Sequence, residues 1–552
     1  MALNIADLFE HAVDAVPGDP ALKVRDRVMT YGELDAEANR FAHFLASRGL
    51  GAGDHIGVYA KNSIEHVIAV IAIFKIRAVA INVNYRYVEA ELDYLFDNAD
   101  LKGLIVEREY GALAAKVAPK HAAIATVVVI PEADDFGTEP TYEPDPTTYG
   151  AVTLAQACEG QSAGRDFGER SADDVHIIYT GGTTGYPKGV MWRHEDFWRV
   201  LGGGIDFMTG ERLEEYDQSK KAAAGENTLI GLPLSPLMHG GAQAALLMHL
   251  FAGTVTLLSP KFDPVEVWET VDREKVQLLF MTGDAMARPL IETYEQGDYD
   301  GSSLFAIASS AAIFSKPVKE RWMAAFPNAV FTDSVGASET GFTGTGLQDK
   351  DALKDSGTVI SLGAEAVVLD DDNNILDPAT DIGVVGRLAR AKSVPLGYYK
   401  DPEKSAKTFV EIDGTRYSIP GDFARIEEGG RVRLLGRGSN CVNTGGEKVY
   451  PEEVESALKK HPAVYDALVV GLPDETYGQV VTAVVQVREG ETLELDELRD
   501  SLRSSLSGYK LPRRLTIVDE IPRNATGKAQ YPRAKEIAME ALEAETAEKA
   551  GA

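Results

Sequence analysis

Cysteine is nearly missing from this chain of 552 residues: there are two, Cys158 and Cys441. They lie far apart and form no C-x-x-C pair. Neither a disulfide framework nor a thiolate metal cluster is expected, and each cysteine reads as a small buried hydrophobe. Basic residues are scarce beside acidic ones, 55 against 85, which leaves a net charge of −30. That deficit excludes the basic footprint a nucleic-acid surface needs, so any anionic substrate must be held by a few local cations. Long apolar runs are missing too. The most apolar stretch, Val67 to Phe74, is bounded by His66 and Lys75 and falls well short of the ~18 residues a membrane span requires. Met1 to Ala12 has no basic leader segment and carries Asp7 and Glu10. Glu545 to Ala552 spells no prenylation or peroxisomal signal. A cytoplasmic location is the expectation.

What is present is a globular composition, 44% apolar, in a chain too long for one core, so several subdomains are expected. The stretch that organises it runs from Tyr179 to Gly189, Y-T-G-G-T-T-G-Y-P-K-G. An apolar, β-branched run, Val175 to Tyr179, reads as a strand leading into it. Gly181, Gly182, Gly185 and Gly189 let backbone approach a ligand. Thr180, Thr183 and Thr184 offer hydroxyls, successive N–H groups form an anion-binding concavity, and Lys188 is a mobile point charge for phosphate. Lys188 sits between Pro187 and Gly189, so this is no Walker A loop. The bland alternative is a flexible surface turn.

Before that loop, helices and strands alternate. Tyr31 opens a helix with Leu34, Ala38, Phe41, Ala42 and Leu45 on one face. His55 to Tyr59 reads as a strand, Asn62 to Phe74 as a helix and Ala78 to Val83 as a strand. That order implies a parallel sheet covered by helices. Pro131 to Gly168, rich in Pro, Gly and acids, reads as a surface connection. After the loop, Trp192, Phe197 and Trp198 precede Gly202-Gly203-Gly204. They form either a core helix ended by glycines or the wall of an apolar pocket. His239, alone in I-G-L-P-L-S-P-L-M-H-G-G, has no metal-ligand partner in sequence. Glu339 closes D-S-V-G-A-S-E. A carboxylate beside phosphates makes sense as a Mg²⁺ ligand, and otherwise it is a solvated surface residue. Gly386 to Leu396 suggests strands of a small β subdomain. Pro451 to Leu458 reads as a helix, and Val464 to Val470, Val480 to Val487 and Arg514 to Val518 as strands of a small final α/β domain.

The order T-x-G-T-T-G-x-P-K-G resembles the phosphate loop of the adenylate-forming superfamily of acyl-CoA synthetases, luciferases and peptide-synthetase adenylation domains. Gly181 stands where most members carry Ser. Further motifs follow in the family's order, from T-Y-G-E-L at Thr30 to P-R-N-A-T-G-K ending at Lys528. The resemblance implies an α/β fold. Its large N-terminal domain would hold two α/β sheet subdomains and a small β-barrel, followed by a small mobile C-terminal α/β domain. It places the N-terminal adenylation domain at 1–436, a hinge at 437–440 with Ser439 as pivot, and the C-terminal domain at 441–552.

The resemblance also implies site residues. Thr180 to Gly185 and Lys188 hold phosphates, with Thr184 at the reacting phosphate. Ser310, Ala311 and Ala312, then Asp333, Ser334, Val335 and Gly336, surround adenine. Ser338 lies near the α-phosphate and Glu339 holds Mg²⁺. Asp422 takes the ribose diol, although Pro420 stands where the family has Thr, and Arg437 touches ribose or phosphate. Lys528 is catalytic. Gly445, Gly446 and Lys448 meet coenzyme A. His239, Met238, Gly240 and Trp192 line the acyl pocket. ATP, Mg²⁺ and coenzyme A are the implied cofactors and co-substrates, and a carboxylic acid is the partner. A homodimer is left open. The W-R-H-E-D after the loop and the D-S-V-G-A-S-E-T-G segment look like those of bacterial sterol side-chain CoA ligases. A fatty-acid CoA ligase, a luciferase-like enzyme and an adenylation-only enzyme are the alternatives.

Overall fold

A computed structural model describes residues 3–132, 144–180, 187–206, 209–226, 229–310, 312, 314–348, 358–444, 447–474, 477–503, 505–506, 508–524 and 528–551. Its strands form three sheets. The most regular has eight strands in the order Gly397–Tyr398, Lys188–Arg193, Val175–Thr180, Val79–Asn82, His55–Tyr59, Leu101–Glu107, Thr126–Ile130 and Ala151–Thr153. His55–Tyr59 pairs in parallel with Val79–Asn82 on one edge and Leu101–Glu107 on the other, so the chain reverses its winding there. The helices that cover this sheet start where the sequence sets them. Thr30 and Glu33 form a reciprocal cap at the head of Tyr31–Ser47, and Ser63 caps Ile64–Lys75, whose residues are all buried.

A second sheet of fifteen strands starts with the N-terminal hairpin Pro20–Val24/Arg27–Thr30. It runs through parallel strands Val255–Leu257, Ile230–Pro233, Leu278–Met281, Ala306–Ser310 and Val330–Ala337, then turns antiparallel at Gly341–Gln348. The strands expected to close as a barrel are Val359–Leu362, Arg431–Arg437, Asp422–Ile426, Val385–Ala391, Thr415–Ser418, Phe409–Ile412 and Ala366–Leu369. They continue this sheet instead, and no closed barrel forms among the described strands. Two pairings explain the correction. Gly344 and Thr345 bond across to Leu362 and Ser361, which keeps the sheet open into its neighbour. Val385–Ala391 splits one edge between two partners, Phe423–Arg425 and Tyr417–Ser418, so the sheet fans out.

The third sheet has five strands: Glu447–Val449, Val442–Thr444, Gly478–Val487, Val464–Asp474 and Arg514–Val518. With Pro451–Leu458, Leu495–Leu502 and Tyr531–Gly551 it makes a small α/β unit with apolar clusters on both faces. A short turn, Gly438–Asn440, separates Arg431–Arg437 of the large sheet from Val442–Thr444 of the small one. The expected surface connection 131–168 is more ordered than its composition suggests. Ala151–Thr153 adds an edge strand and Leu154–Cys158 a capped helical turn. Among the described residues no helix is long and apolar enough to cross a membrane.

Candidate active site

The phosphate-loop candidates Gly181, Gly182, Thr183, Thr184 and Gly185 lie outside the described residues, but both stems of the loop are described. Thr180 ends one strand and pairs with Lys188, which begins the antiparallel return. A Cβ on Gly189 would come within 2.7 Å of Ile177 and 2.8 Å of the Tyr179 ring, so only glycine fits this stem. Buried Asn82 braces the other stem. Its amide donates to the Tyr179 carbonyl at 2.8 Å and to the Met238 carbonyl, and its oxygen accepts the Tyr179 N–H at 2.8 Å.

Lys188 is ion-paired with Asp401, and its ammonium lies 5.8 Å from the centre of the Tyr398 ring. Tyr398 belongs to the two-residue strand that bonds to the return stem, opposite Val190. Its hydroxyl donates to Glu339 Oε1 at 2.9 Å. The Lys404 ammonium lies 5.0 Å from the centre of the same ring, and burial and the neighbouring Lys188 charge hold its pKa below the usual lysine value.

Glu339 sits in the tight connection between Val330–Ala337 and Gly341–Gln348. There a Cβ on Gly336 would lie 2.4 Å from the Gly341 carbonyl oxygen. Two side chains fix its backbone. The Trp192 indole N–H donates to the Ser338 carbonyl at 3.0 Å, and the Ser418 hydroxyl donates to the Glu339 carbonyl at 2.6 Å. Asp333, one strand back, is buried against Lys319, and burial pushes its carboxyl up. Asp422 stands opposite Arg437 in the sheet.

These residues share one cleft of about 320 Å³ with the small domain. Lys188, Ser310, Ala312, Asp333, Ser334, Val335, Gly336, Ser338, Glu339, Asp422 and Lys528 all line it. Lys528 is presented by a tight reciprocal turn: its N–H donates to Asn524 Oδ1 at 2.9 Å, and its carbonyl accepts the Asn524 N–H at 2.8 Å. Adjacent Arg523 is anchored on Asp466 at 2.8 and 3.1 Å, and Lys459 holds the same carboxylate at 2.8 Å. His239, at the head of helix Gly240–Phe251, is held near pKa 3, first by burial and then by the charges of Lys528 and Arg86. It is a neutral ring at physiological pH.

Residues 9–399 match the family model of AMP-binding enzymes, and residues 453–528 match that of the AMP-binding enzyme C-terminal domain. The chain belongs to the AMP-binding enzyme family. Among the most similar relatives of this AMP-binding enzyme is a 3-oxocholest-4-en-26-oate–CoA ligase of Rhodococcus rhodochrous, 51% identical over 97% of this chain and 96% of the relative. Another is a medium/long-chain-fatty-acid–CoA/3-oxocholest-4-en-26-oate–CoA ligase of Mycolicibacterium smegmatis, 50% identical over 98% and 97%. Of solved structures, ATP-bound MatB from Rhodopseudomonas palustris superposes with a TM-score of 0.78 at 27% identity, covering 96% of this chain and 98% of that one. The anthranilate CoA ligase AuaEII, at 23% identity, shares the fold with a TM-score of 0.82 over 98% of both chains. The expectation of an adenylate-forming fold with a small C-terminal domain is met.

Some expectations for this AMP-binding enzyme change on contact with the structure. Of the four residues expected at the acyl pocket, Trp192 and Met238 are buried, and neither they nor His239 and Gly240 line this cleft. Trp192 serves it indirectly, through Ser338. Gly202-Gly203-Gly204 leaves no pocket volume. A Cβ on Gly202 or Gly204 would meet Trp198 at 2.9 or 2.7 Å, because these glycines wrap that indole, which donates to Gln218 at 2.8 Å. Ala311, Gly445 and Gly446 lie outside the described residues, and Lys448 pairs through its backbone with Asn443. Sequence reading passed over Tyr398, Asp401 and Lys404. The segment G-Y-Y-K-D-P-E-K at 397–404 carried the signal, two aromatics and four charges around a helix start at Pro402.

Proposed function

We propose that this AMP-binding enzyme is an ATP-dependent acid–CoA ligase that activates a bulky apolar carboxylate, foremost a steroid side-chain acid. A carboxylate is a poor electrophile because its leaving group would be oxide. In the first half-reaction one carboxylate oxygen attacks the α-phosphorus of ATP, the bond to pyrophosphate breaks, and acyl-AMP forms. In the second, the coenzyme A thiol attacks the acyl carbon, loses its proton, and AMP leaves. Negative charge concentrates at the α-phosphorus in the first step. Lys528 and the loop N–H groups stabilise it there, and Lys188 exchanges Asp401 for phosphate. Asp422 takes the ribose diol and Arg437 supports it. Glu339 is a carboxylate in the cleft with one oxygen anchored by Tyr398, which fits a Mg²⁺ ligand. When bound, that ion would neutralise phosphate charge. Neutral His239 faces the substrate carboxylate without adding charge to it.

We assign adenylation to 1–436 and the mobile domain to 441–552, with 437–440 as the hinge and Ser439 as its pivot. Rotation there withdraws Lys528 and brings the Gly445-Gly446-Lys448 face to the thiol. ATP and coenzyme A as substrates fit a cytoplasmic enzyme.

The observation that carries the steroid reading is the 50–51% identity, over nearly the whole chain, to ligases named for 3-oxocholest-4-en-26-oate. A second reading, medium- and long-chain fatty acids, has the support that several of the same relatives are named for both. The deciding measurement is kcat/KM for 3-oxocholest-4-en-26-oate against octanoate and palmitate, followed as coenzyme A-dependent AMP release. Preference for the steroid acid is expected. Preference for either fatty acid overturns the steroid reading and leaves the ligase.

A further inference from the structure

The eight-stranded sheet changes its winding direction between His55–Tyr59 and Leu101–Glu107. In open α/β sheets the crevice outside the carboxyl ends of the strands at such a point is where ligands bind. The cleft described above does not use it. What the chain places there is Tyr59, Lys61, Glu107, Glu109 and, at the end of the next strand, Glu132. One carboxylate oxygen from each glutamate lies within 4.8 Å of the others. Two oxygens that share a cation bound at about 2.4 Å lie at most about 4.8 Å apart, so the set is compact enough for one ion to reach all three.

Two further observations separate this group from an ordinary acidic surface. Glu107 is 1% exposed, its Oε2 accepts the Lys61 backbone N–H at 2.6 Å, and among the described residues its buried Oε1 has no hydrogen-bond partner. The Tyr59 hydroxyl, within electrostatic reach of Glu109, is likewise buried without a partner. A buried carboxylate oxygen left unpaired is costly. Lys61 pairs with Glu109, and Arg108 pairs with Glu132 at 2.9 Å. Among the described residues no salt bridge reaches Glu107, so the two cations, Lys61 and Arg108, are matched to Glu109 and Glu132 and leave the third carboxyl without one. All the available donors are hard oxygens, which suit Ca²⁺ or Mg²⁺ rather than a soft metal.

We propose that Glu107, Glu109 and Glu132 hold a hard divalent cation at the carboxyl edge of this sheet, apart from the cleft that contains Glu339. The cation ties the ends of three strands together. It also acts on the next residue, Asn62, whose oxygen accepts the Leu237 N–H at 2.6 Å and whose amide donates to the Ser235 carbonyl at 3.3 Å. That loop leads through Met238 into His239, so the ion braces the segment that starts helix Gly240–Phe251.

The test uses Tb³⁺ as the probe, on the full chain without nucleotide. Tyr59 and Tyr110 (ring centres 4.8 Å apart), with Tyr85 5.8 Å from Tyr110, would sensitise its luminescence. We expect saturable binding that Ca²⁺ or Mg²⁺ displaces. It should weaken at least tenfold in the double variant Glu109→Gln/Glu132→Gln and persist in Glu339→Gln. The two substituted glutamates are partly exposed, and circular dichroism checks that the variant is folded. Equal affinity in wild type and the double variant overturns the proposal. So does loss of binding in Glu339→Gln alone, or failure of both divalent ions to displace the probe.

Discussion

At the scale of single residues, the cleft depends on side chains that hold other side chains. Tyr398 is the clearest case, because its hydroxyl fixes one oxygen of Glu339. A hydrogen bond to a charged group contributes about 1.5–3 kcal/mol. Tyr398→Phe should therefore lower the adenylation rate roughly 10- to 100-fold and raise the Mg²⁺ concentration needed for half-maximal rate. ATP–pyrophosphate exchange at graded Mg²⁺ measures both, and an unchanged Mg²⁺ dependence would remove Tyr398 from this role. Lys528→Ala should abolish that exchange while synthetic acyl-AMP and coenzyme A still give thioester; equal loss of both would remove its assigned part. Lys528, Glu339 and Asp422 each close a short motif in the sequence, and all three line the cleft. Tyr398 was not legible there, since its partner lies 59 positions away and meets it only through strand pairing. Trp192 misled for a related reason: an aromatic beside a phosphate loop looks like a pocket wall, and only its indole bond to Ser338 shows that it works from inside the core.

Secondary elements were legible wherever a cap or a period marked them. The helix from Tyr31 starts at its Thr30 cap, His55–Tyr59 and Arg514–Val518 have the expected bounds, and Ile64–Lys75 is shifted by one or two residues. Strands that depend on partners were harder. Ala151–Thr153 lies in a polar stretch and exists because the sheet edge is there to receive it. The barrel was expected on family grounds, and it fails where Val385–Ala391 divides its edge. Gly202-Gly203-Gly204 belongs to this scale, as the end of helix His194–Leu201 folded over Trp198. Gly204→Ala would press a methyl into that ring and should destabilise by about 1–3 kcal/mol. Thermal melting measures that loss. The steroid-to-palmitate ratio of kcat/KM should stay unchanged, and a shifted ratio would return these glycines to the pocket.

At the scale of the whole molecule, the two domains meet beside the cleft. Arg288, on helix Gly283–Gln296, is buried with Asp284 at 3.2 Å, and its guanidinium lies 4.6 Å over the ring of Tyr465 in the small domain. With Arg288 buried and Tyr465 half-buried, a contact of this kind is worth about 1 kcal/mol. Tyr465→Leu should slow adenylation several-fold without slowing thioester formation from acyl-AMP, and equal effects on both half-reactions would show that the contact does not favour one arrangement. Stability should fall on mild acidification. Burial holds His66, His176 and His249 near pKa 4 and His194 well below its ordinary value, and among the described residues His176, His194 and His249 each keep a buried ring nitrogen without a partner. The unfolded chain takes up these protons below about 6.5, and the native state cannot until about 4. Each histidine thus removes about 1.4 kcal/mol per pH unit as pH falls through that window. Glu107 and Glu455, pushed up to about 7 by burial, favour the native state in acid but are fewer. The melting temperature should drop steeply from pH 6.5 towards 5, and less so in His176→Gln. The fifteen-stranded sheet carries a demand of another kind, on synthesis. Its N-terminal hairpin has no partner until Thr256 and Leu257 are made, roughly 230 residues later, which at about 5–20 residues per second is about 10–45 s of translation. Seven of the eight strands of the other sheet, all but the edge strand Gly397–Tyr398, are made by Arg193 and are free to fold first on the ribosome. The earliest strands of the chain thus wait for seven strands of the other sheet to be made before their own partner exists, although the strands from Leu278 to Arg437 are made later still.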